Sequence, residues 1–328
     1  MSGHDLCCRA CGRQAKTEST YPYRCLCGGL WMAREPGLYP VLGAGDEGVG
    51  LGTPLWPDPR DAGLLWKRED LNRTGSFKDR GASVLVALAV QCGARRLVLD
   101  SSGSAALAGA SAAARAGLPI TVHTPEKLPA NKREALQAFG ARILAEGNRE
   151  SAGARAQEAA QREFYLSHVY HPAFFEGTAL GAMEVLRQTR GSPPPCWVIP
   201  VGNGSLLLGA AATLERAQRA DVKLIAVQSV SCPGLKRPGS GGRTKALGIG
   251  IADPPRREEI LAALDRFGGE VIEVEEEAIV EARDELGRRG VIAELASAAV
   301  LAGVERLRGS GERGEILGWL TGSGYRGD

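Results

Sequence analysis

From about residue 94 onward, short apolar runs alternate with longer segments whose apolar positions recur at helical spacing. Arg96-Leu97-Val98-Leu99-Asp100 predicts a strand, a Ser/Gly turn follows at 101–104, and an alanine-rich helix extends to about 116. A strand at 119–123, a helix at 130–139, a strand at 141–145 and a helix at 149–163 repeat the cycle. A second series has a strand at 196–201, a helix at 204–219 and a strand at 223–227. It continues with a helix near 258–267, a strand at 271–274, helices at 276–289 and 295–307, and a last strand at 315–320. Strands alternating with helices through short connections predict an α/β fold of two doubly wound, mainly parallel sheets flanked by helices. Residues 229–251, rich in Gly, Pro, Lys and Arg, break the rhythm and read either as a loop over a site or as a passive connection.

Composition adds bounds to this picture. The 328 residues suit about two domains, and at 44% hydrophobic they bury a sizeable core. Glycine is heavily used, 44 residues or about 13% against an average near 7%, as many tight strand-helix turns require. A net charge of +2 leaves no electrostatic footprint for nucleic acid. No apolar run reaches the roughly 20 residues that span a bilayer, and residues 1–5 have no secretion-signal character, so a cytoplasmic protein with no membrane partner is expected.

Several positions carry chemistry. Lys78 follows the small, polar run Thr74-Gly75-Ser76 and precedes an apolar segment at 82–90, which puts it at the start of a helix. A lysine there faces the positive end of the helix dipole, which disfavours its charged form and suits Schiff-base chemistry; the competing reading is a solvated or ion-paired lysine. Val201-Gly202-Asn203-Gly204-Ser205-Leu206 is a glycine-rich turn between a buried strand and a helix, the setting of a phosphate site or of a plain turn. The dinucleotide fingerprint fails, because Leu207 stands at the third glycine position and Gln228 where a ribose-binding acid belongs. Asp100-Ser101-Ser102-Gly103-Ser104 is a similar turn suited to a carboxylate, though it also reads as a routine helix cap. Thr321 or Ser323 offers a hydroxyl at the end of the last strand, where ligands sit in such sheets, though the segment also reads as a plain turn. The four histidines show no metal spacing; His168 and His171 read as lining a site or, in the plainer reading, as core or surface residues.

Five of the eight cysteines, Cys7, Cys8, Cys11, Cys25 and Cys27, fall at the N-terminus. Cys8-x-x-Cys11 and Cys25-x-Cys27, about a dozen residues apart, make a zinc-ribbon-like pattern. The second pair is one residue short of the usual spacing, so Cys7 is an alternative ligand, and a metal-free knuckle is the alternative to structural Zn2+.

Taken in order, these segments resemble the threonine synthase family of pyridoxal-phosphate (PLP) enzymes, which share fold type II with the tryptophan synthase β subunit. The resemblance is carried by the N-terminal cysteines, Gly52-Thr53-Pro54-Leu55 and the run from Glu69 through Asn72-Arg73-Thr74-Gly75-Ser76-Phe77-Lys78-Asp79-Arg80-Gly81. It continues through Ser101-Ser102-Gly103, Gly202-Asn203-Gly204, Glu294-Leu295-Ala296-Ser297-Ala298-Ala299 and Thr321-Gly322-Ser323-Gly324. It implies that Lys78 forms an aldimine with PLP, that Gly202, Asn203, Gly204, Ser205 and Leu206 hold the cofactor phosphate, and that Thr321 faces the ring nitrogen. Ser101, Ser102 and Gly103 would meet the substrate α-carboxylate, and Arg80, Lys132 and Arg133 are candidates for its phosphate. Ser104 stands where the family carries an asparagine that meets the PLP 3′-hydroxyl.

The implied division is a cysteine knuckle at 1–35, a large PLP-binding domain at 36–90 with 180–328, and a small α/β domain at 91–179. The implied reaction is O-phosphohomoserine and water to L-threonine and phosphate, in a homodimer of threonine biosynthesis. A dehydratase or other β-elimination or replacement enzyme on a small amino acid, and a non-catalytic PLP-fold protein, are the alternatives.

Overall fold

The computed structural model describes residues 5–33 and 52–326. The chain divides into two compact units, one of residues 1–51 and 78–178, the other of residues 52–77 and 179–328. The stretch at 36–51, expected to open the larger domain, lies outside the described residues.

The first unit begins with β1 (Asp5–Cys8), β2 (Gln14–Lys16) and β3 (Trp31–Ala33), an antiparallel sheet of order β2-β1-β3. The second unit then contributes β4 (Leu55–Pro57) and β5 (Leu64–Arg68) before the chain returns to the first at α1 (Lys78–Gln91). There follow β6 (Leu97–Asp100), α2 (Ser104–Arg115), β7 (Ile120–Thr124), α3 (Ala130–Ala138), β8 (Arg142–Ala145), α4 (Arg149–Ala159) and β9 (Phe164–Tyr165). The strands β8-β7-β6-β9 form one parallel sheet. Residues 82–89 of α1 are buried, and the helix packs on α2. That packing places residues 78–90 in the first unit, whereas the sequence division carries the larger domain through residue 90.

The split between the units falls within α5 (Pro172–Gln188). After it come β10 (Cys196–Pro200), α6 (Ser205–Arg216), β11 (Lys223–Ser229), α7 (Arg257–Arg266), β12 (Glu270–Val274), α8 (Glu276–Arg288), α9 (Leu295–Gly309) and β13 (Ile316–Leu320). The second unit's sheet has the order β12-β11-β10-β13-β5-β4, parallel except for edge strand β4. Alternate residues of β10 feed opposite faces, as the strand period of two demands. Cys196 and Val198 join the core under α8 and α9, while Trp197 and Ile199 join the core with α6 and α7.

The expected alternation of strands and helices is present and the sheets are parallel-rich. Among the described residues, no helix is long and apolar enough to cross a membrane. Several elements went unforeseen: the strands β1 to β5, the helix α5, whose pattern is interrupted by Gly177 and Gly181, and the two-residue strand β9.

Candidate active site

Lys78 is the first residue of α1, and its backbone approach is built in the second unit. Residues 75–77 lie antiparallel to residues 321–323: Ser323 N–H donates to Gly75 O (2.9 Å), Ser76 bridges Gly322, and Phe77 N–H donates to Thr321 O (3.1 Å). The lysine therefore follows one residue after a hydrogen bond to the end of β13.

That strand end carries the expected hydroxyl. Thr321 is buried, with Oγ1 3.2 Å from Ser297 Oγ and 3.3 Å from Glu294 Oε1, to which it donates. Ser297 also accepts Gly322 N–H (2.9 Å) and donates to Gly322 O (3.1 Å), while Arg326 holds the other Glu294 oxygen at 2.7 Å. Ser297 and Glu294 thus orient Thr321. The Glu294-to-Ala299 run was visible in the sequence as a motif, but nothing in its spacing assigned this role.

The glycine-rich turn leads from β10 into α6. Gly204 caps the helix in the left-handed region at φ 77°, and the helix's own ladder begins with Leu208 N–H to Gly204 O (2.9 Å). Such a helix start, whose first N–H groups precede the intrahelical ladder, is a setting that suits an anion. A Cβ on Gly204 would overlap the Ile260 side chain, and one on Gly202 would sit 2.8 Å from Gly248 O. Gly204→Ala should therefore cost about 1–3 kcal/mol through φ strain and overpacking. A thermal melt and a PLP titration check this; both midpoints are expected to worsen.

Gln228, noticed in the sequence only as a missing acid, is a buried strut here. Its Nε2 donates to Val201 O (3.1 Å), and its Oε1 accepts Leu235 N–H (2.9 Å). Glu276 accepts from Ser229 Oγ and from Lys245 N–H (2.8 Å), and burial opposed by these bonds leaves its pKa below the usual carboxylate value. The irregular stretch at 229–251 is thus pinned, and its Gly248 carbonyl packs on the glycine-rich turn.

The other expected site residues lie in the first unit. Ser101-Ser102-Gly103 links β6 to α2; Gly103 N–H donates to Ser101 Oγ (3.1 Å), Gly103 is the N-cap, and Ser104 opens the helix. Asp100, just before the turn, accepts from Tyr165 Oη, and burial raises its pKa. Burial, with the Lys78 and Arg149 charges, drives the His168 pKa down to about 3, so this imidazole is neutral at physiological pH. Arg80 is fully buried.

At the N-terminus, the Sγ atoms of Cys8, Cys11, Cys25 and Cys27 all lie within 4.8 Å of one another. Cys7 turns away, its Sγ 3.7 Å from Gly12 O. Burial raises the Cys8 thiol, but the Cys11 and Ala10 N–H groups outweigh it and lower its pKa to about 7. At Cys27 the Gly29 N–H lowers the pKa, but hydrogen bonding among the four sulfurs pushes it up to about 12. Four convergent thiols suit a tetrahedral thiophilic cation.

A mainly parallel sheet flanked by helices, with a glycine-rich turn at one strand end and a supported hydroxyl at the next, is an α/β architecture of the doubly wound class. Residues 47–322 match the family described as pyridoxal-phosphate dependent enzyme, and the chain belongs to that family. It is 31% identical to the threonine synthase of Methanosarcina acetivorans over 281 residues, covering 78% of this chain and 69% of that one. It is likewise 31% identical to the threonine synthase of Bacillus sp. over 276 residues, covering 80% and 78%. A serine dehydratase-like protein of Mus musculus is 33% identical over 185 residues, covering 54% and 56%. Among solved structures, a threonine deaminase from T.th. superposes with a TM-score of 0.69 at 31% identity, covering 79% of this chain and 87% of that one. The protein is a PLP-dependent lyase of a family that acts on small amino-acid substrates.

The residues present fit the cofactor. The turn before α6 is closely approached at Gly202 and Gly204, where a Cβ would meet Gly248 O or the Ile260 side chain, and Thr321 is a neutral hydroxyl supported by Ser297 and Glu294.

Proposed function

We propose that this lyase converts O-phosphohomoserine and water to L-threonine and inorganic phosphate. The observation that carries the reading is the antiparallel pairing of residues 75–77 with 321–323, which starts α1 at Lys78 directly beyond the hydroxyl-bearing strand end. Similarity to threonine synthases over most of the chain supports this choice of reaction.

Bound PLP supplies an electron sink that labilises bonds at the substrate's α and β carbons. Lys78 would hold the cofactor covalently between turnovers; freed when substrate is bound, its amino group would take one proton from the α carbon and one from the β carbon, give one to the γ carbon after phosphate has left, and return one to the α carbon. Phosphate departs as the γ C–O bond breaks, and water adds at the β carbon. The amides of Gly202, Asn203, Gly204, Ser205 and Leu206 hold the cofactor phosphate. Thr321, as a neutral hydroxyl, does not enforce a charged ring nitrogen, which suits elimination and replacement at the β and γ carbons. Ser101, Ser102 and Gly103 receive the α-carboxylate, and Ser104 meets the ring 3′-hydroxyl. Arg80, buried on α1, and Lys132 and Arg133, half-buried on α3, are the candidates for the substrate phosphate.

A dehydratase acting on serine or threonine is the second reading. Ser104 in place of the family's asparagine favours it, because a shorter hydroxyl holds the ring less firmly. Incubation with O-phosphohomoserine decides between them. The proposal expects equal amounts of phosphate and threonine; ammonia and a 2-oxo acid formed from serine or threonine, with no phosphate released, would reject it.

We also infer that Cys8, Cys11, Cys25 and Cys27 hold one structural Zn2+, on the convergence of their four sulfurs.

A further inference from the structure

The cysteine knuckle buries little of its own. Among its described residues, Leu6, Trp31 and Tyr21 are the large buried side chains, too few to fold a piece of this size unaided. Residues 17–24, between the two cysteine pairs, have no regular structure, yet they carry the contacts to the rest of the first unit.

Cys92 Sγ, just beyond α1, donates to Thr17 O at 3.1 Å. His171 Nδ1 accepts Ala173 N–H at 3.1 Å and so carries no proton when the ring is neutral; its Nε2–H then donates to Thr17 Oγ1 at 3.4 Å. The Tyr21 ring stands edge-on to His171 with centroids 4.5 Å apart, and its hydroxyl donates to Tyr165 O at 2.7 Å. Tyr23 packs on Tyr165 and Tyr170, and the Arg24 guanidinium lies 5.0 Å over the Tyr170 ring. Tyr165, on edge strand β9, pairs with Val98 of β6 and donates its own hydroxyl to Asp100, the residue before Ser101. A continuous path therefore runs from the cysteine cluster through Tyr21 and Tyr165 to the strand end that bears the Ser101-to-Gly103 turn.

We propose that metal at Cys8, Cys11, Cys25 and Cys27 holds residues 17–24 against Tyr165 and His171, and so fixes the Asp100–Ser101 strand end for the substrate's α-carboxylate. Tyr21 is then a positioning residue acting through Tyr165. The carboxylate part rests on the proposed function, whereas the mechanical coupling does not. Physically, an irregular segment tied at both ends by one ion loses most of its conformational freedom, and the Tyr21 bond then costs little ordering. Without the ion, that ordering must be supplied by the contacts themselves.

The test uses the full-length holoenzyme. Metal analysis is expected to find one zinc per chain, and a chain purified with excess zinc that carries none would overturn the proposal. Amide hydrogen exchange over residues 98–107 is compared between zinc-loaded protein, chelator-treated protein and zinc-loaded Tyr21→Phe. Faster exchange in both altered forms is expected, and unchanged exchange would refute the coupling whatever the substrate proves to be.

Steady-state kinetics supply the second readout. Tyr21→Phe should retain zinc and the visible cofactor band, raise the amino-acid KM by about two- to ten-fold, as one neutral hydrogen bond is worth, and leave kcat nearly unchanged. Altered exchange with an unaltered KM would overturn the carboxylate role in this proposal. Failure of O-phosphohomoserine to react would count against the proposed function alone, and spectral titration with L-serine would then replace KM.

Discussion

Lys78→Ala is expected to lower kcat by about 10³–10⁴-fold or more with any amino-acid substrate, because one side chain supplies both the covalent anchor and the proton carrier. The fold should survive the change. Lys78 is half-buried in the first turn of α1, and alanine is the better helix former. Its backbone placement is set by hydrogen bonds of residues 75–77 that the substitution does not touch. A thermal melt close to the parent's, together with lost turnover, is the expected pair of results. Lys78→Arg should be as inactive, since a guanidinium keeps the charge but does not form the linkage. Retained turnover in either variant would remove Lys78 from the chemistry.

The largest effect on stability is expected at Lys67. This residue sits fully buried in β5, and its ammonium donates to Thr53 O (2.6 Å), Glu184 Oε2 (2.8 Å) and Gln188 Oε1 (3.2 Å). The other Glu184 oxygen accepts Gly52 N–H at 3.3 Å, and Thr53 Oγ1 donates to Glu69 Oε1 at 2.7 Å. Glu69 in turn accepts from Asn72 Nδ2 at 2.8 Å. The motif around Gly52-Thr53-Pro54 and the Glu69-to-Asn72 run are thus two sides of one buried polar network.

Lys67→Met leaves the Glu184 carboxylate buried without its cation, at a cost of about 3–5 kcal/mol. For a chain of this size the melting temperature should fall by on the order of 10 °C. Lys67→Met combined with Glu184→Leu should recover a large part of that loss, because the desolvation of both charges disappears together. A double variant no more stable than the single one would show that the pair does not act as a pair.

Much of the architecture was legible because strands buried on both faces read as plain apolar runs, as in β10 and β11, and helices between them keep their own period. Lys67 shows where that reading stops. A lysine in the centre of a strand looks like an exposed edge, and only its partners from Gly52–Leu55 and α5 explain it. The helix α5 was hidden for a related reason, its glycines interrupting the periodicity. The glycine-rich turn before α6 and the Thr321 strand end were legible as turns, since strand-turn-helix geometry is local. The supports of those turns, Ser297, Glu294 and Gln228, were not, because they reach their partners across 24 or more residues of sequence. Tyr165 and Tyr21 carried no signal at all; their roles depend on a two-residue strand and on packing 144 residues apart.

The attachment of the cofactor is tested most directly by reduction and mapping. Holoenzyme incubated with PLP is treated with borohydride, digested, and its peptides are sequenced by mass spectrometry. The pyridoxyl group is predicted on Lys78 alone, with the visible band at roughly 410–420 nm lost on reduction and absent from Lys78→Ala. A label on another lysine, or a colourless protein in excess PLP, would contradict the account.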